Sequence, residues 1–112
     1  AGMHAGCANF RRAMANMLRA PNAFLEESYW KGANLVGADF TDANLASAEL
    51  TDTMLRGANL TRAALNCADL RDADLTGANL TGADLTYANL TGAILTGAIL
   101  TETIGAPIAI PA

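Results

Sequence analysis

The sequence is poor in most of the residue types on which catalysis and recognition depend. Its 112 residues include one histidine, two cysteines, three prolines and only 5% aromatics. The lone histidine, His4, has no nucleophile or carboxylate placed to work with it, so histidine-based catalysis has no second member and no enzyme is expected. Cys7 and Cys67 lie far outside a C-x-x-C metal-ligand spacing and read as two reduced thiols. A disulfide between them requires the N-terminus to fold back over the middle of the body. No apolar run approaches the ~18 to 20 residues of a membrane span. Charged residues make up 16% with a net charge of -4, whereas nucleic-acid binders carry a basic stripe, so direct nucleic-acid binding is not expected. The glycines follow a turn period rather than a phosphate-binding motif, and no cofactor or metal site is expected.

What is present is one short sentence said over and over. Ala73 to Gly92 reads ADLTG ANLTG ADLTY ANLTG. Stepping by five from Leu25 gives Leu25, Trp30, Leu35, Phe40 and then leucine at every step from Leu45 to Leu100. Two residues before each stands alanine, except at Ser28 and Thr53. A helix cannot use this period, because five steps of ~100° scatter the leucines around its axis. A flat strand cannot either, because an odd period sends alternate leucines to opposite faces.

Local alternation does fit. Alanine and the leucine two residues later point to one side, the residue between them points out, and the remaining two turn the chain. Those two are often Thr-Gly, as at Thr76-Gly77 and Thr81-Gly82, which suits tight turns with positive φ. If each turn bends the chain by about a right angle, four units close a square coil of twenty residues, and coils stack ~4.8 Å apart through ladder hydrogen bonds.

These residues, ADLTG, ANLTG and ADFTD, closely resemble the pentapeptide-repeat proteins, whose units read A-[DN]-[LF]-x-x. The resemblance covers Ala23 to Glu102. It implies an all-β fold, the right-handed quadrilateral β-helix, a solenoid with large residues stacked in columns inside and alanine in the narrower part of the square. Trp30 reads as core filler near an end, and Ser28 and Thr53 need a local acceptor. The expected organisation is an N-terminal segment over 1–22, a β-helix of about four coils over 23–102, and a capping tail over 103–112.

The N-terminal segment has two readings. Phe10, Ala13, Met14, Met17 and Leu18 are spaced by threes and fours, which predicts a short amphipathic capping helix from an Asn9 N-cap to a stop before Pro21. On the other reading, Ala8-Asn9-Phe10 is already a unit in phase, which places Ala15 and Ala20 where a large side chain is needed. The helix is the preferred expectation, with Arg11, Arg12 and Arg19 mostly on its other faces.

With the inside committed to packing, function has only the outside. Every fourth unit shares a side, and one side collects Glu49, Asp52, Asp69 and Asp72, with Lys31 and Arg71 among them. This is a candidate docking face for a basic protein partner. The position between alanine and leucine turns apolar at Ile94, Ile99 and Ile104, a girdle to be covered either by the tail from Gly105 to Ala112 or by a second copy in a homodimer through the C-terminal end.

The function expected is a non-enzymatic structural or protein-interaction module. The family resemblance adds an alternative, DNA mimicry directed at a type II topoisomerase such as gyrase. It also adds the thylakoid lumen as a compartment beside the default cytoplasm.

Overall fold

The five-residue period becomes a four-sided parallel β-helix. The computed structural model describes residues 7–108, in which every outward residue from Asn9 to Asp84 pairs in parallel with the residue twenty positions later. Twenty units from Asn9 to Ile104 therefore make five coils. The ladder runs both ways: the Leu50 N–H donates to the Asp69 carbonyl at 2.7 Å, and the Asp69 N–H donates to the Ala48 carbonyl at 2.9 Å.

Each corner is a β-turn. The Ala48 N–H donates to the Leu45 carbonyl three residues back at 3.0 Å, and Ser47, the third residue of that turn, has φ of 58°. A three-residue closure with positive φ at its third position is the signature of a type II turn. Glycine fills this position at some corners, and thirteen others carry a non-glycine residue. Each of those accepts a left-handed backbone that costs roughly 1 to 2 kcal/mol, so the columns inside must supply the compensation.

They do so by burial. Leu35, Leu45, Leu50, Leu65, Leu70 and Leu75 have no exposed surface, and the alanines between them are equally buried. Fully burying one such leucine contributes ~1.5 to 3 kcal/mol. The two polar residues in the alanine column find the local acceptors they need: Thr53 donates its hydroxyl to the Leu50 carbonyl at 2.7 Å, and Ser28 donates to the Leu25 carbonyl. No buried side-chain nitrogen or oxygen among the described residues lacks a partner.

The expected N-terminal helix does not form. Asn9, Met14 and Arg19 are the outward residues of the first coil and pair with Tyr29, Asn34 and Asp39. Met14 is therefore 83% exposed, and Met17 sits at a corner with φ of 63°. Ala20 is buried and Ala15 half-buried without a large side chain, and the bulk of the first two coils lies elsewhere. Trp30 stacks on Phe10 with ring centroids 4.2 Å apart and meets Phe40 edge-on at 5.8 Å, while Leu18 takes a position that alanine holds elsewhere. Pro21 is not a helix stop but the second residue of the turn from Ala20 to Ala23, followed by Asn22 at φ of 62°. Proline at that place and asparagine after it are the pair a type II turn prefers.

Candidate functional site

The sequence pattern D/N-x-Thr has a job that its outward position conceals. Asp39 accepts hydrogen bonds from both the N–H and the hydroxyl of Thr41, at 3.0 and 2.6 Å. Asn59 with Thr61, Asp74 with Thr76, Asn79 with Thr81, Asp84 with Thr86 and Asn89 with Thr91 repeat the motif. A side chain that bonds the backbone two residues on pre-shapes the turn that follows. These residues therefore belong to the corners. The Thr41 and Thr76 hydroxyls hold the Asp39 and Asp74 carboxyls below the usual aspartate range.

Charged side chains gather on one side, where Asn9, Asp69 and Asn89 also brace their corners. Its outward column is Asn9, Tyr29, Glu49, Asp69 and Asn89, and the corner beyond it carries Arg11-Arg12, Lys31-Gly32, Thr51-Asp52 and Arg71-Asp72 on successive coils. Glu49, Asp52 and Asp72, three of the four expected carboxylates, line an open depression of about 250 Å³ with Lys31, Thr51 and Arg71. Asp69 stands beside it and is held by Arg71, whose Nε and Nη2 donate at 2.9 and 2.7 Å. That grip holds the Asp69 carboxyl below the usual range, while Asp69, Asp72 and Asp52 push the Arg71 guanidinium up.

The residues missed at this side are Arg11 and Arg12. With Lys31, Gly32 and Asp52 they line an adjoining depression of about 320 Å³. Arg11 also donates to Glu49 at 3.3 Å and places its guanidinium 4.3 Å from the centre of the Tyr29 ring. Counting back twenty from Lys31 finds Arg11, but the helical reading of the segment hid the signal. The side is consequently a charge dipole, basic on its first two coils and mostly acidic on the next two.

The isoleucine girdle is exposed as a set: Ile94, Ile99 and Ile104 keep 48%, 45% and 58% of their surface. The tail does bend at Gly105, where φ is +75° and an added Cβ would meet Thr86. It continues the ladder through Tyr87 N–H to the Ala106 carbonyl and Ile108 N–H to the Ala88 carbonyl, leaving the three isoleucines uncovered by the described residues. Ile110 and Pro111, the rest of the expected cap, lie outside the described residues, as does His4.

Cys7 and Cys67 are free, exposed and on the same corner of the coil. Three coils separate them, about 14 Å at the ladder spacing, beyond the ~7 Å that a disulfide spans between Cα atoms. No group of three or more histidine, cysteine, aspartate or glutamate side chains among the described residues is placed to hold a metal ion.

The family model for pentapeptide repeats matches residues 31–62 and 63–101, in eight copies. The chain belongs to the pentapeptide-repeat family. The solenoid agrees with solved structures of other members. It is similar to the pentapeptide-repeat protein Rfr23 of the cyanobacterium Cyanothece 51142, with 25% identity, a TM-score of 0.82, and coverage of 99% of this chain and 86% of that one. It is also similar to AT2G44920 from the Arabidopsis thaliana thylakoid lumen, at 30% identity and a TM-score of 0.70 over 81% of this chain and 67% of that one. A third likeness is to alr5209 of Nostoc PCC 7120, at 41% identity and a TM-score of 0.59 over 79% and 64% of the two chains. No curated protein matches the sequence. No helix among the described residues is long and apolar enough to cross a membrane.

Proposed function

We propose that this pentapeptide-repeat protein is a non-enzymatic interaction module that docks a protein through its charged side. The observation that carries the reading is the arrangement of Lys31, Glu49, Asp52, Arg71 and Asp72 around one open depression on a rigid ladder. A β-helix fixes its surface side chains at constant spacing, so an array of alternating charge supplies register and specificity more than raw affinity. The depression is open rather than enclosed, which suits a macromolecular surface better than a small substrate.

The test is a pull-down from native extract with the protein and with a variant reversed at Glu49, Asp52, Asp69 and Asp72. The captured partner is expected to be lost with the variant. Capture of the same proteins by both rejects the charged side as the docking surface.

A second contact is favoured by the exposure of Ile94, Ile99, Ile104 and Leu100 on the last coil. It is a homodimer through the C-terminal end, insensitive to salt because it buries apolar surface. Light scattering should give a dimer mass that Ile94→Asp with Ile99→Asp converts to a monomer. A monomer at every concentration removes this contact.

DNA mimicry draws no support from the charge pattern, because Arg11, Arg12, Lys31 and Arg71 interrupt the carboxylates on the very side that would imitate a duplex. A gyrase supercoiling assay is expected to show no effect of the protein at high micromolar concentration.

A further inference from the structure

Two features of the charged side share one centre of symmetry. Numbering the coils from the first, Arg11 and Arg12 lie on coil one, Lys31 on coil two, Glu49 and Asp52 on coil three, and Asp69, Arg71 and Asp72 on coil four. The formal charges run +2, +1, -2 and -1. A two-fold axis lying across the side between coils two and three, perpendicular to the stack, sets coil one against coil four and coil two against coil three. Counted over this column and the corner beyond it, each pair of coils then joins opposite net charges, with Lys31 meeting Asp52, Arg12 meeting Asp72, and Arg11 against Arg71 as the one like pair.

The cysteines obey the same operator. Cys7 is on coil one and Cys67 on coil four, on the corner at the other edge of this side. Rotation about an axis lying across the side keeps each edge against its own copy and inverts the order of coils. It therefore brings Cys7 of one copy to Cys67 of the other, twice. The remaining charges of that corner, Glu26 and Glu27 on coil two, come opposite Ala46 and Ser47 and meet no like charge. Asn89, Thr91 and Gly92 on coil five are uncharged and overhang the partner's first coil.

We propose that the partner of the charged side is a second copy of this chain, packed antiparallel, with Cys7 of each facing Cys67 of the other. The proposal rests on the reading of this side as a protein-docking surface and names its occupant. The interface is isologous, since one self-complementary patch serves both subunits. Four coils make it about 19 Å tall, which with a body 20 to 24 Å across places it at the low end of specific interfaces, where contacts are weak and transient. Oxidation fixes it. Each Cys7–Cys67 pair gives up two electrons and two protons to one glutathione disulfide, forming one S–S bond between the copies and releasing two molecules of reduced glutathione.

The experiment uses the reduced chain at up to about 1 mM in light scattering, at salt of about 20 mM and about 0.5 M, where the screening length falls severalfold. A dimer fraction that grows with concentration at low salt and disappears at high salt is expected. Lys31→Glu and Asp52→Lys are each expected to be monomeric, and an equimolar mixture of the two is expected to recover the dimer. In the mixture the introduced carboxylate of one copy meets the introduced ammonium of the other, and the native Asp52 of the first meets the native Lys31 of the second. No contact within a single chain predicts that recovery.

Glutathione disulfide should then give a peptide linking Cys7 of a light chain to Cys67 of an isotopically heavy one. A monomer under all conditions, a mixture that stays monomeric, or linkage of Cys7 to Cys7 overturns the antiparallel pairing. A dimer that ignores salt and both charge variants but yields to Ile94→Asp is the end contact and also overturns it. None of these outcomes touches the interaction function itself, which fails only if the charge-reversed protein still captures its partner from extract.

Discussion

Trp30 donates its indole N–H to the Ser28 hydroxyl at 2.7 Å, across the single outward residue Tyr29. Ser28 donates its own O–H to the Leu25 carbonyl, so a buried indole nitrogen and a serine in an alanine position satisfy one another. Ser28→Ala restores the consensus residue and leaves the indole without an acceptor. It is expected to destabilise the fold by about 1 to 3 kcal/mol, the cost of an unsatisfied buried donor. Tryptophan fluorescence during urea unfolding measures this, and an unchanged midpoint contradicts it.

The first coil depends on a size exchange between stacked residues. Ala20 is buried directly on the Phe40 column, its N–H bonded to the Asp39 carbonyl at 2.8 Å. Ala20→Leu, again toward the consensus, is expected to overpack the aromatic cluster and cost about 1 to 3 kcal/mol. Ala20→Leu combined with Phe40→Leu should recover part of that loss, as read by thermal unfolding. Additive losses would show that the two positions do not share space.

Acid should act through the corner carboxylates. The folded-state carboxyls of Asp39 and Asp74 are held below the ordinary value of 3.8 by the Thr41 and Thr76 hydroxyls and N–H groups. Their contribution is present above that value and is lost as pH falls through the lowered folded values, because the unfolded chain takes up protons first. Replacing both by asparagine keeps the acceptor oxygen, as Asn59 shows with Thr61 at 2.6 Å, and removes the titration. The double variant is expected to lose less stability than the parent between about pH 5 and pH 2. Parallel pH profiles in thermal melts would refute this.

At the other end, Gly105 combines φ of +75° with a close approach to Thr86, whose Cβ and Cα lie 2.9 and 3.0 Å from where a Cβ would stand. Gly105→Ala is expected to peel the last segment rather than unfold the body. Amide exchange at Tyr87, whose N–H is bonded to the Ala106 carbonyl, should accelerate by roughly tenfold or more. The exchange of Leu45 and Leu65 should stay unchanged. Equal acceleration throughout would mean that the stack opens as a whole.

The interior was legible because burial follows the period: Leu45, Leu65 and their column mates are where counting by five puts them. The first coil was not, since Phe10, Ala13, Met14, Met17 and Leu18 satisfy a helical spacing as well as a coil. Only packing against Trp30 and Phe40 decides between the two. Three of the four carboxylates of the charged side share one depression, and Asp69 lies beside it. Their counterions from coil one were hidden by the same helical reading. The role of Asp39 or Asn79 as a turn brace depends on hydrogen-bond direction toward Thr41 or Thr81, which a column of polar letters does not reveal, although the D/N-x-Thr spacing carried it.

The pairing of each outward residue from Asn9 to Asp84 with the one twenty positions later also gives the chain something like a reading frame. Loss or gain of one residue breaks the alternation of every unit after it. A change of five leaves the interior intact but rotates all later coils by a quarter turn, carrying Asp69 and Asp72 away from Glu49 and Asp52, and Cys67 away from the edge of Cys7. Only a change of twenty lengthens the body without scrambling its surface. Variation in length can therefore leave the fold standing while reassigning what each side presents, and the order of the columns is inherited separately from the stability of the core.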